Sequence, residues 1–275
     1  MKKFLAFTMA AAMTLSLAAC GGGSGSGSNT SADGSGSAAF KLGGTGPLTG
    51  DASIYGLAAQ RGAQIAVDEI NAEGGAIQFE LKYEDDVNDP EKAVNAYNAL
   101  KEWGMQISLG SVTTQPCIAT SSYNFADSIF ALTPSASSPD VISGKDNVYQ
   151  MCFSDPNQGT ASAKYISEQK LGEKVFIIWK SDDNYSTGIK DKFVAEAETL
   201  GLNVVGNATF TADSKNDFTV QLTQAKQAGA DLLFLPIYYD AASLILTQAN
   251  AMGYAPKFFG VDGMDGILTA ENFDA

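Results

Sequence analysis

The chain of 275 residues contains no histidine. Catalytic triads built on an imidazole base and metal sites liganded by histidine are therefore excluded. Arg61 is the only arginine, so at most one bidentate guanidinium clamp is available for a carboxylate or phosphate. Any other anionic ligand group must meet lysine, hydroxyls or backbone N–H. Basic residues are scarce altogether, 17 against 31 acidic ones, for a formal net charge of −14. That balance disfavours nucleic acid and anionic membrane surfaces as partners. No apolar run reaches the roughly 20 residues that a membrane-spanning helix needs.

What is present divides the chain. Lys2 and Lys3, an apolar run from Phe4 to Leu17 and small residues up to Cys20 read as a secretory signal. Without those two lysines 15 basic residues face 31 acidic ones, a charge of −16. The ending Leu17-Ala18-Ala19-Cys20 resembles the bacterial lipobox, which makes residues 1–20 a lipoprotein signal peptide and Cys20 the lipidated anchor to the membrane. Residues 21–39 are almost all glycine, serine and other small polar residues and read as a tether spanning roughly 25 Å. The folded part is then extracytoplasmic, in a compartment where Cys117 and Cys152 are permitted a disulfide, although their spacing does not show that they meet.

From Phe40 onward, strand-like apolar runs alternate with helical patterns, the signature of βα units and parallel sheets. Ile77, Phe79, Leu81 and Tyr83 alternate as a strand. Asp89-Pro90-Glu91 supplies an N-cap, a first-turn proline and an acid for a helix carrying Val94, Tyr97 and Leu100. Ala59, Ala63, Ala66, Val67 and Ile70 share a helical face that ends at Gly74-Gly75. Strands are expected at 105–109, 129–132 and 148–153, with a helix near 117–126. A second series has helices near 158–170, 185–200, 216–228 and 240–252 and strands at 175–179, 202–206 and 231–236. The expected fold class is α/β, two lobes meeting near residue 155: 40–155 and 156–275.

Ligands of open α/β sheets lie beyond the carboxyl ends of the strands. The predicted exits GPLTGDASIYG, GSVTTQP, TPSASSP, SDDNYSTG, PIYYD and GVDGMDG are rich in glycine, hydroxyls and tyrosine, with single acids among them. GGTGPLTG departs from the dinucleotide fingerprint, because Thr49 stands where a glycine is needed. Asp85, Asp86 and Asp89 lack the DxDxDG pattern of a calcium loop and read as a strand end and a helix cap, so no metal is expected. Thr113 and Thr114 have only lysine as a nitrogen base, and no Ser-x-x-Lys motif occurs there, so no enzyme is expected. A helix N-terminus at that point offers free N–H groups and positive potential to a carboxylate. Tyr55, Tyr185 and Tyr238 each follow a strand by a few residues, as the aromatic walls of a small-molecule cleft would.

Together GPLTGDASIYG, GAQIAVDEINAEGG, YEDDVNDPEKAV, GSVTTQP, LTPSASSPD and DNYSTG resemble the solute-binding proteins of branched-chain amino-acid ABC transporters, with the type I periplasmic binding protein fold. The resemblance implies two Rossmann-like lobes with a hinge between them, closing on an amino acid that is delivered to ABC permease subunits. It implies a monomer with no cofactor. By its motifs, Thr114 takes the ligand carboxylate, Ser135 and Ser137 contact the ammonium and carboxylate, and Asp262 pairs with the ammonium. Tyr55, Tyr185 and Tyr238 surround the ligand, with Tyr239 an alternative to Tyr238. Asn88 and Thr113 stand where some members carry a disulfide. The family also continues beyond the point reached at Ala275, so an incomplete second lobe and weak stability of residues 40–275 are expected. A sensory domain, or a binder of another small amide or carboxylate, is the alternative.

Overall fold

The computed structural model describes residues 39–269. The signal, Cys20 and nearly all of the tether lie outside the described residues. The first lobe runs β1 (Phe40–Gly46), α1 (Ser53–Ala72), β2 (Phe79–Asp85), α2 (Pro90–Trp103), β3 (Ile107–Ser108), α3 (Thr114–Ala126), β4 (Phe130–Thr133) and β5 (Val148–Gln150). Its sheet is parallel throughout, in the order β2-β1-β3-β4-β5. The second lobe comprises α4 (Asp155–Glu168), β6 (Val175–Lys180), α5 (Asn184–Leu200), β7 (Val204–Phe210), α6 (Thr219–Gln227), β8 (Leu232–Leu235), α7 (Tyr239–Ala251) and β9 (Lys257–Gly260). Its parallel sheet has the order β7-β6-β8-β9. In each sheet the strand order reverses beside the first strand, β1 or β6, which opens a crevice at the carboxyl ends. Among the described residues the chain passes from one sheet to the other once, between β5 and α4.

Local chemistry accounts for the element ends. Asp89 Oδ accepts from the Lys92 N–H at 2.8 Å, Pro90 opens α2, and Gly104 closes it at φ 95°. Asp85 staples the loop after β1 by accepting from the amides of Leu48, Thr49 and Val87 and from the Thr49 hydroxyl. β3 has only two residues where five were expected, because the chain turns away at Gly110, φ 79°. A Cβ at Gly110 would come within 2.8 Å of the Thr133 Cα on β4. α4 and α5 pack equally closely, since a Cβ on Gly159 would lie 2.3 Å from the Ile189 carbonyl oxygen.

Other boundaries also differ from the sequence pattern. Ile77 is exposed and precedes β2, β7 extends to Phe210, α6 begins at Thr219, and the strand implied before the GVDGMDG exit is β9, Lys257–Gly260. Of the apolar face predicted for α1, Val67 is buried and Ile70 is exposed.

The second lobe has the larger apolar core. β8 is buried along its whole length, and the rings of Phe193 and Phe234 stack at 4.0 Å between sheet and helix. Each such side chain contributes about 1.5–3 kcal/mol through burial.

Candidate ligand-binding cleft

Hydroxyls fill much of the first lobe's interior near the strand exits. Thr45 and Ser111 hydroxyls meet at 2.5 Å, and Ser111 meets Thr120 at 3.2 Å. Thr133 donates to the Ser111 carbonyl at 2.8 Å and accepts from the Ala136 amide at 3.0 Å. This network holds the GSVTTQP loop against the loop after β4. The Ser135 hydroxyl donates to the Val112 carbonyl at 2.6 Å, and the Ser137 amide donates to the Thr114 hydroxyl at 3.2 Å.

Between the lobes lies a cavity of about 310 Å³. From the first lobe come Tyr55, Val112, Thr113, Ser135 and Ser137, and from the second Tyr185, Tyr238, Asp262, Gly263 and Asp265. Six of the seven ligand-binding residues expected from sequence, Tyr55, Ser135, Ser137, Tyr185, Tyr238 and Asp262, are thus brought to one wall-lined space. Thr114 is not among its lining residues. As the first residue of α3 it is buried, its hydroxyl used as a brace for Ser137. The neighbouring Thr113, the N-cap, lines the cavity instead, and its hydroxyl has no hydrogen-bond partner among the described residues. The N–H groups of the first turn of α3 lack intrahelical acceptors, which adds donors beside that hydroxyl.

The opposite wall is organised around Asp262. Its Oδ1 accepts from the Tyr185 hydroxyl at 2.5 Å and from the Gly263 amide at 2.9 Å. Its own amide donates to Gln158 Oε1 at 2.8 Å. Tyr185 and Tyr238 stack face to face, with ring centres 4.7 Å apart and planes 3° from parallel. Tyr55 crosses from the first lobe, donating to the Gly263 carbonyl at 2.6 Å and placing its ring 5.8 Å from Tyr238 and 5.7 Å from Tyr239. Tyr239 therefore meets Tyr55 at its edge, while Tyr238 lines the cavity. Burial raises the hydroxyls of Tyr55, Tyr185 and Tyr238 well above the ordinary tyrosine value, so all three remain neutral donors near pH 7. Asp262 and Asp265 are the charged side chains of the lining, and no lysine or arginine joins them among the described residues.

Outside the cavity the lobes touch again. Gln115 donates to the Asp182 carbonyl at 3.1 Å and to Asn184 Oδ1 at 3.2 Å, and Asn184 donates to Asp140 Oδ2 at 2.9 Å. Lys215 pairs with Asp51 on another side. Cys117 and Cys152 are free thiols, both pushed up to about 11, chiefly by burial.

Residues 39–270 match the family model described as "Periplasmic binding protein". The chain belongs to that family. Its fold is the type I periplasmic binding protein fold, and its relatives are those of branched-chain amino-acid transport. It is 30% identical over 230 residues to a Leu/Ile/Val-binding protein of Rhizobium johnstonii, covering 82% of this chain and 62% of that protein. A leucine-binding protein from Thermotoga maritima superposes with a TM-score of 0.76 at 25% identity, covering 84% of this chain and 66% of the other. The branched-chain amino-acid substrate-binding protein of Streptococcus pneumoniae, solved with isoleucine, gives 0.74 at 29% identity, with 81% and 64% covered. The periplasmic binding protein described here thus spans about 62% of the length of the curated relatives it matches.

Proposed function

We propose that this chain captures an α-amino acid, of the branched-chain class of leucine, isoleucine and valine, between its lobes and hands it to the permease of an ABC importer. The observation that carries the reading is the division of chemistry across one cavity. The first lobe offers hydroxyls and the amides of a helix N-terminus, whereas the second offers a carboxylate and stacked tyrosines. A zwitterion needs both its charges met when it leaves water. Thr113, Ser135 and the first turn of α3 hold the ligand carboxylate, and Asp262 takes the ammonium with the Ser137 hydroxyl oxygen beside it. Tyr55, Tyr185 and Tyr238 enclose the side chain.

Such a ligand contacts both lobes only when they are together, so it shifts an open–closed equilibrium toward closure. Tyr55 assists, because its bond to the Gly263 carbonyl also spans the lobes. Capture and delivery need no bond to be made or broken, so the role is binding rather than catalysis. In this reading the two lobes divide at about residue 155, and the lipid on Cys20 keeps a monomer at the membrane outside the cytoplasm, beside its permease.

A thermal-shift screen of the chain against the amino acids, small amides and carboxylates tests the proposal. A ligand at about 100 times its dissociation constant adds roughly 2.7 kcal/mol of stability. A response led by leucine, isoleucine and valine is expected. Silence from every amino acid, with a shift from a compound that lacks an ammonium group, would overturn the ligand assignment.

A further inference from the structure

One carboxyl group beside the cavity has no part in the roles assigned above. Asp155 is the first residue of α4, where the chain enters the second lobe. Its amide donates to the Ser137 carbonyl at 3.1 Å, tying it to the cavity wall of the first lobe. Its Cβ lies against α5, where a Cβ added to Gly188 would approach within 3.3 Å. The residue is wholly buried, and neither of its carboxyl oxygens has a hydrogen-bond partner among the described residues.

The groups that face Asp155 are almost all acidic. Asp262 reaches it from the turn after β9, Asp183 from the N-cap of α5, and Asp140 from the short turn at 139–141. The Cys152 thiol and the Tyr238 hydroxyl are also within electrostatic reach, and the Ser137 hydroxyl is the donor nearest to hand. The charges that act most strongly on it are all negative. An ionised carboxylate so placed would face like charges.

We infer that Asp155 is a proton-linked positioning residue of the cleft, which keeps its proton while the cleft is empty and releases it when a ligand ammonium settles beside Asp262. The inference rests on the amino-acid reading above. The O–H bond of the carboxylic acid breaks, the proton passes to solvent, and the incoming ammonium supplies the positive charge that makes the carboxylate tolerable. The proton also sets the polarity of Ser137. An ionised Asp155 can accept the Ser137 O–H, which turns that oxygen's lone pairs toward the ammonium. Burial, with the neighbouring carboxylates adding to it, pushes Asp155 up to about 7, so the exchange falls near neutral pH.

Calorimetric titration of L-leucine into the 275-residue chain at about pH 6.5, in two buffers of unlike protonation enthalpy, tests this without any mutation. Release of a fraction of a proton on binding is expected, with affinity rising several-fold from about pH 6 to about pH 8 and by at most tenfold per pH unit. Asp155→Asn should bind with no linked proton and a flat pH profile. Binding without proton release, or release that persists in Asp155→Asn, would overturn the inference.

A ligand-free comparison decides the state of the empty cleft separately. A carboxyl raised in the folded state contributes stability below its unfolded value of about 3.9 and loses it as pH rises through its folded value of about 7. The wild-type Tm should therefore fall relative to that of Asp155→Asn between about pH 4 and pH 7, and parallel curves would overturn the inference. If the curves diverge but no amino acid binds, the amino-acid reading fails, and the ammonium-driven release falls with it.

Discussion

The two lobes share one strand-and-helix plan but fill their interiors differently. In the second, β6 and β8 carry Val, Phe, Ile and Leu into a core where Phe193, Phe234, Leu222 and Ile245 are buried. In the first, much of the buried set is polar: Thr45, Ser108, Ser111, Thr114, Thr120, Thr133 and Ser137, linked largely by hydrogen bonds. The contrast places function as well as stability. A lobe whose loops are held by hydroxyl networks already presents hydroxyls and amides at its strand exits, where a carboxylate can be received. The second lobe presents Tyr185 and Tyr238 there, with Asp262 and Asp265 among them.

The comparison can be broken at several points. The largest stability loss is expected from Phe234→Ala, at about 3–5 kcal/mol, since it removes a stacked ring from a closed core. Urea unfolding measures it, and a loss near 1 kcal/mol would mean that the second lobe does not depend on that core. Asp262→Ala should cost about 2–5 kcal/mol of amino-acid binding by leaving the ammonium unpaired. Its Tm should change little, because the residue is exposed to the cleft. Unchanged affinity in calorimetry would remove Asp262 from the site.

Ser111→Ala tests the first lobe, because it removes one hydrogen bond from each of the Thr45 and Thr120 hydroxyls, which keep bonds to the Gly110 and Pro116 carbonyls, for about 1–2 kcal/mol of stability. A neutral result would show that the hydroxyl network is not what holds these loops. The smallest effect belongs to Tyr185→Phe, which deletes one bond to Asp262 and keeps the stack on Tyr238. About 1 kcal/mol of binding, or a several-fold weaker affinity, is expected in the same titration.

Much of this organisation is legible in the residues. α2 announces itself through Asp89-Pro90-Glu91, the cap, first-turn proline and acid that open it. The strand exits follow from the βα alternation, and with them six of the cavity's lining residues. What escapes has physical reasons. Periodicity resolves a helix start only to within a residue or two, and the choice between Thr113 and Thr114 turns on that margin, since an N-cap and the residue after it face different ways. The apolar face of α1 is real as a pattern, but a pattern states what can be buried rather than what is. The expected helix near 158–170 begins three residues earlier, at Asp155, so the pattern leaves that acid outside it. Only the packing of α4 on α5 shows that its carboxyl is enclosed without a donor.

The most direct test of a cavity divided between a carboxylate-holding lobe and an ammonium-holding lobe is a calorimetric comparison of L-leucine with two of its fragments. 4-Methylpentanoic acid lacks the amine, and 3-methylbutylamine lacks the carboxylate. Leucine should bind, and each fragment should bind at least about 30-fold more weakly, because a lost charge partner costs about 2 kcal/mol or more. If 4-methylpentanoic acid bound as tightly as leucine, Asp262 would have no ammonium to hold, and the division of roles between the lobes would be wrong.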